Sequence, residues 1–236
     1  MKRCHYLLAG LTGFVFTTAM AADTPRGDLL ELHSCEVYAG GCVVSSEAMQ
    51  SGRYMLRAWS FTGGHFAGSE FAGLQLAVLQ LSDDNLAAPG TDSGQAVIYL
   101  PDSATAGQRA ALVAWLKSSQ PDFHPAQIST RVLPLRFEAR DGNSVFTAGA
   151  SICVRTSPFQ RCETFTCGES LWYQPRSAAS EFTVAVDQSS RVAEPLLQLK
   201  WEDSAKRNVF QAKFGESVSS HPLFVGIDPV CGTNLF

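Results

Sequence analysis

The alternation of apolar and polar positions along the chain predicts a protein built mainly of strands. Residues 57–61 (Arg-Ala-Trp-Ser-Phe) alternate with the period of two expected of a half-buried strand, and Gly63, Gly64 and Gly68 then interrupt the pattern. Residues 74–81 and the short apolar run 96–100 read as two further strands separated by the turn-rich stretch 82–94. Past residue 127 the strand signal returns at 128–137, 145–154, 181–186, 196–201 and 209–214. Turn residues punctuate it at 141–143, 187–190 and 202–206. Leu199, Trp201, Val209 and Phe210 fit a hairpin across the last of these turns.

A single strong helical period lies between the two groups of strands. Thr105 and Gln108 have capping-box spacing, with Asp102 and Ser103 as competing caps. Ala111, Leu112, Trp115 and Leu116 then fall on one face, and the pattern fades at Ser118, Ser119 and Gln120 before Pro121. These elements predict an α+β fold: a mostly antiparallel β-sheet with one principal helix at about 104–118 packed on one side.

The N-terminus has the pattern of a secretory leader. Lys2 and Arg3 form a positive start, residues 6–16 a short apolar stretch, and Ala19-Met20-Ala21 a small-x-small site with cleavage after Ala21. Neither this stretch nor any later one reaches the roughly 20 apolar residues of a membrane-spanning helix. The expected organisation is a leader over 1–21 and one exported domain over 22–236, with two subdomains (22–121 and 122–236) as a variant of it. The expected location is the periplasm or the extracellular medium. The whole chain carries 18 basic and 22 acidic residues, a formal charge of −4, and loss of Lys2 and Arg3 with the leader takes it to −6. An acidic body without a Lys/Arg run argues against nucleic acid or an anionic membrane as the partner, and leaves another exported protein as the macromolecular candidate.

Cysteine usage carries the chemical signal. Of seven cysteines, Cys4 leaves with the leader, and Cys35, Cys42, Cys153, Cys162, Cys167 and Cys231 remain. An even count in an exported chain implies disulfides. Cys35–Cys42 around Gly40-Gly41, Cys162–Cys167 closing a hairpin and Cys153–Cys231 pinning the C-terminal tail is one pairing among the 15 that six cysteines allow. The alternative is a soft-metal site. His33 and Cys35 project to the same side of an extended segment, Cys42 supplies a further thiolate, and His65 on its glycine-rich segment is the second histidine candidate. Sparse thiolate and imidazole donors favour copper(I) over a closed tetrahedral zinc site. Otherwise no cofactor is expected. Trp172 and Tyr173 read as core residues or as a shield for such an ion, and His124 and His221 each precede a proline and read as turn residues.

Residues 33 to about 116 resemble the bacterial domain-of-unknown-function family numbered 1326. The resemblance is carried by an N-terminal cysteine cluster, by Gly64-His65-Phe66-Ala67-Gly68 followed by Gly73-Leu74, and by Gln108-Arg109-Ala110-Ala111-Leu112 opening the helix. Members of that family carry a denser opening cluster with a proline within it; here it is thinned to His33, Cys35 and Cys42. The resemblance implies a shared domain type and brings no activity with it.

The chain has no Gly-x-Ser-x-Gly elbow, His-Glu-x-x-His helix, phosphate-binding loop or dinucleotide fingerprint. The expected class is therefore a binding or accessory protein with a copper or thiol site rather than an enzyme. A disulfide-stabilised structural or protein-interaction domain without metal is the alternative, and a thiol oxidoreductase using one cysteine pair is a third reading.

Overall fold

A computed structural model describes residues 23–40, 52–86, 94–159, 169–171 and 175–215. In chain order the elements are β1 (Arg26–His33), β2 (Tyr38–Gly40), β3 (Tyr54–Gly63), β4 (His65–Phe66), β5 (Ser69–Glu70), β6 (Gln75–Leu81) and β7 (Gln95–Pro101). There follow helix α1 (Ala106–Ser119), β8 (Gln127–Leu133), β9 (Leu135–Arg140), β10 (Asn143–Ala148), β11 (Ile152–Pro158), β12 (Glu169–Leu171), β13 (Ser180–Glu194), β14 (Leu199–Asp203) and β15 (Lys206–Phe214). The fold is the expected one in class: largely antiparallel sheet with one helix.

One sheet runs in the order β8-β7-β6-β3-β1-β15-β13-β11-β10-β9, with β14 added to β13. Every pairing in it is antiparallel except β7 with β8, whose parallel register (Gln95↔Gln127 to Pro101↔Leu133) needs the crossover that α1 supplies. The sheet curls into a nearly closed barrel, because β9 at one end of the order lies against β3, β6 and β7 near the other. Strands from both sides of residue 121 share this sheet, and β1 sits between β3 and β15, so it does not divide at 121.

Strand alternation sends two sets of apolar side chains in opposite directions. Leu30, Leu32, Leu56, Ala58, Ala77 and Leu79 point into the barrel, where they meet Phe137, Phe146, Val154, Val192 and Trp201 from the far wall. Leu29, Trp59, Phe61, Leu76, Val78 and Ile98 point outward and are covered by Ala111, Leu112, Trp115 and Leu116 of α1. Trp115 is the anchor of that contact, standing edge-on to Trp59 and Phe61 with ring centroids 5.8 and 4.8 Å away. The capping box is present as its spacing predicts. Thr105 Oγ1 accepts from the Gln108 amide at 3.2 Å, and Gln108 Oε1 accepts from the Thr105 amide at 3.0 Å.

Two local expectations are corrected. The strand at 57–61 is not half-buried: Arg57 is fully buried with Ala58, Trp59 and Phe61, because the barrel interior covers one face and the α1 side of the molecule covers the other. Nor do 199–201 and 209–210 form a hairpin with each other. The 15-residue β13 pairs with β15 along its first part (Ser180↔Lys213 to Asp187↔Lys206) and with β14 along its last (Ser190↔Asp203 to Glu194↔Leu199). β14 and β15 thus lie end to end on one edge of β13, while β11 takes the other. The leader and Cys42, Cys162, Cys167, Trp172, Tyr173, His221 and Cys231 lie outside the described residues. No helix among the described residues is long and apolar enough to cross a membrane.

Candidate functional site

The end of β1 places charged side chains where alternation calls for apolar ones. Leu30 and Leu32 enter the barrel, so Glu31 and His33 share the outward face with Leu29, and both are fully buried. Arg57 stands directly opposite Glu31 in the β1–β3 register and is also fully buried. The cover comes from two segments brought from afar: residues 120–123, which leave the C-terminus of α1, and residues 176–178, just before β13.

Glu31 is the hub. Its Oε1 lies 2.7 Å from His33 Nε2 and accepts from the Arg176 amide at 2.9 Å. Its Oε2 accepts from the Ser177 amide at 2.8 Å and the Ser177 hydroxyl at 2.6 Å. Burial works to raise the Glu31 carboxyl, but the hydrogen bond and charge of His33, the Arg57 guanidinium and the Ser177 hydroxyl outweigh it and push it down to about 2. Glu31 is therefore ionised at neutral pH and only accepts, which makes His33 Nε2 the donor. In the neutral imidazole the ring lone pair then belongs to Nδ1.

A second carboxylate ties the cover down. Asp122 accepts from Arg57 Nη1 at 3.2 Å and from Arg176 Nε at 3.0 Å, and Arg57 Nη2 donates to Gln80 Oε1 at 2.5 Å. The Arg57 guanidinium also lies 5.7 Å from the Trp59 ring and 5.8 Å from the Phe123 ring. Gln120 Oε1 accepts from the Ala178 amide at 3.1 Å, which joins the exit of α1 to the strand entering β13.

His33 and Cys35 each lie against Phe210. Cys35 is buried with Val37 and Phe210, and the His33 ring stands edge-on to the same Phe210 at 5.8 Å. Two donors, one nitrogen and one sulfur, thus converge on one aromatic wall at the end of β1. Among the described residues no group of three His, Cys, Asp or Glu side chains is placed to hold a metal ion, and the third expected ligand, Cys42, lies outside them. The donors present fit a low-coordinate soft ion: an imidazole whose other nitrogen is fixed by a buried carboxylate, and a cysteine in apolar surroundings.

His65 does not join them. It lies on β4 beyond the opposite end of β1, its amide bonded to the Asp23 carbonyl at 2.7 Å and its ring 3.6 Å from the Asp23 carboxylate. At about 3.3 Å per residue, the eight residues of β1 separate the two ends by about 23 Å. Cys153, on β11 opposite Thr147 and Arg191, is half-buried and forms no disulfide with another described cysteine; its expected partner, Cys231, is not among them.

A separate polar cluster closes the barrel. Tyr99 on β7 donates to Glu194 Oε2 at 2.6 Å, and Arg131 on β8 donates to the same oxygen at 2.8 Å and to Ser151 Oγ at 2.9 Å. Burial and the bond to Glu194 push the Tyr99 phenol far up. Burial works to raise Glu194 as well, but hydrogen bonds from Tyr99, the Leu196 amide and Arg131 hold it below the usual range. The sequence reading missed Glu31, Arg57, Asp122, Arg176, Tyr99, Arg131 and Glu194. The one available signal was local: Glu31 and Arg57 interrupt outward rows that also contain Leu29, Trp59 and Phe61.

No protein-family model matches the chain, and the searches of curated proteins and of solved structures likewise give no match.

Proposed function

We propose that this chain is an exported, periplasmic or secreted binding or accessory protein whose chemical site is the buried end of β1, with His33 and Cys35 as donors to a soft metal ion, copper(I) first. The observation that carries this reading is the buried Glu31–His33 bond of 2.7 Å, with Cys35 packed on the same Phe210 that the His33 ring meets edge-on. A buried carboxylate on one ring nitrogen is what orients metal-ligating histidines. Cys35 would bind as the thiolate and release a proton, so affinity should rise with pH. Cys42 is the third donor in this proposal. The leader supports export, and Gly64 to Gly68 and the opening of α1 support kinship with the family numbered 1326.

The experiment is thiol alkylation with intact-mass measurement on protein purified from the periplasm, followed by an anaerobic Cu(I) titration against a colorimetric chelator. A single Cu(I) per chain, lost in Cys35→Ser while the near-ultraviolet circular dichroism is retained, is the expected result. Copper retained by Cys35→Ser would refute the site. Six cysteines blocked as disulfides and no copper would replace the reading with a disulfide-stapled interaction domain, and one pair reduced under mild conditions would favour a thiol oxidoreductase.

A further inference from the structure

At the end of the barrel opposite His33 a cleft lies beside the start of β13. Among the described residues β11 pairs with β13 from Ala185 to Val192, with a register shift at Arg155/Thr156, and β13 pairs with β15 with shifts at Ser180/Thr183 and Ala185/Asp187. Among the described residues the first residues of β13 pair with β15, and the tip of the β9–β10 hairpin stands across a gap from them. The wedge between them is a cleft of about 280 Å³ whose walls include Asp28, Ser144, Thr183, Gln211 and Lys213.

Its lining differs from the apolar interior just beyond. Gln211 forms the floor: its Nε2 donates to Ser144 Oγ at 2.9 Å and to Thr156 Oγ1 at 2.7 Å. Both amide hydrogens are thereby used, and Gln211 has only its carbonyl oxygen to offer a ligand. On the β1–β15 wall Asp28 and Lys213 are directly opposed in register and ion-paired, with Lys213 half-exposed. The hairpin tip contributes Arg140 and the β13 side contributes Glu181. Two non-glycine residues of this rim, Asp141 and Glu181, hold left-handed backbone at φ 51° and 54°. At Asp141 this is the ordinary conformation of a two-residue Asp-Gly hairpin turn, whereas at Glu181 it is costly.

We infer that this cleft binds a small zwitterion of the amino-acid class. A carboxylate would take Lys213, flanked by Arg140, and an ammonium would take Asp28, flanked by Glu181 and the Gln211 carbonyl. Each end of such a ligand replaces one half of the existing ion pair, so neither charge is left without a counter-charge when water is displaced. A singly charged ligand would strand Asp28 or Lys213. The volume lies just below the usual range of ligand sites, which suits a free amino acid or a dipeptide.

The test is a titration of the ¹⁵N-labelled full chain with L-glutamine, followed by amide chemical shifts, with sodium acetate and ethylammonium chloride as single-charge probes. Saturable shifts at Asn143, Thr183 and Ala212 are expected with L-glutamine, and Lys213→Gln or Asp28→Asn should weaken binding about tenfold or more. Both substitutions replace side chains at the cleft wall, and an unchanged remainder of the spectrum reports that each variant is folded. The inference is overturned if L-glutamine leaves those resonances unmoved, if both variants bind as the parent does, or if acetate or ethylammonium saturates the same shifts at the same concentration.

Discussion

Replacing Glu31 by Gln keeps the size of the side chain and removes its charge, in a position that accepts four hydrogen bonds from His33, Arg176 and Ser177. The carboxyl falls from 4.5 to about 2 on folding, and at about 1.4 kcal/mol per unit this contributes about 3 kcal/mol. The sign follows from the direction. A depressed carboxyl stabilises the fold fully above pH 4.5, and the contribution disappears as pH falls toward 2. Glu31→Gln should therefore cost about 3 kcal/mol at pH 7, with the amide NH₂ facing donors adding to the loss. That is a large part of the roughly 5–15 kcal/mol by which domains are stable, yet short of unfolding most of them. Urea denaturation of parent and variant at pH 7, 4.5 and 3 measures it. The gap should be widest at pH 7 and shrink by pH 3; a gap that stays constant across this range would refute the assignment of Glu31 as a buried anion.

Asp187 should behave oppositely. It is buried, Ser190 Oγ donates to its Oδ2 at 2.6 Å, and its Oδ1 has no partner within hydrogen-bond distance among the described residues. Burial first, with Asp203 nearby, raises it to about 6, so the fold favours its neutral form and loses stability as pH climbs from 4 through 6. Asp187→Asn should raise the melting temperature at pH 7.5 and leave it unchanged at pH 3.5; an equal gain at both would point to packing instead. Trp115→Ala, which empties the contact with Trp59, Phe61, Phe71 and Phe214, should cost about 3–5 kcal/mol in denaturant unfolding, and a loss below about 1 kcal/mol would mean that α1 is not anchored there.

Local physics was legible in the chain, and distant pairing was not. The helix could be read because a capping box and an i, i+3, i+4 apolar face are set by neighbours in sequence, and they reappear as Thr105–Gln108 and Ala111–Leu116. The outward row of β3 could not be read correctly. Its charge marks Arg57 as solvent-facing although it shares a row with Trp59 and Phe61, and the arrival of Asp122 and Phe123 makes that position interior. The same holds for β14, whose short turn to β15 suggests a hairpin, whereas the length of β13 lets both strands dock on one edge. For the candidate site, His33 and Cys35 were found by spacing alone. Glu31, which fixes the histidine, reads from sequence as an ordinary charged residue, and His65 was included although nothing local reveals that it lies at the far end of the strand.

The position of β1 between β3 and β15 also sets an order of events in folding. Asp28 and Lys213, which face each other across β1 and β15, are 185 residues apart. The first long strand of the chain therefore acquires one of its two neighbours only after nearly all of it is available, and until then β1 and β13 each keep an unpaired edge. Such a topology folds slowly and resists completion on an emerging chain. Pulse-labelled chains truncated before Lys206 should remain protease-sensitive, and the full chain should become resistant only once β15 is free to close the gap.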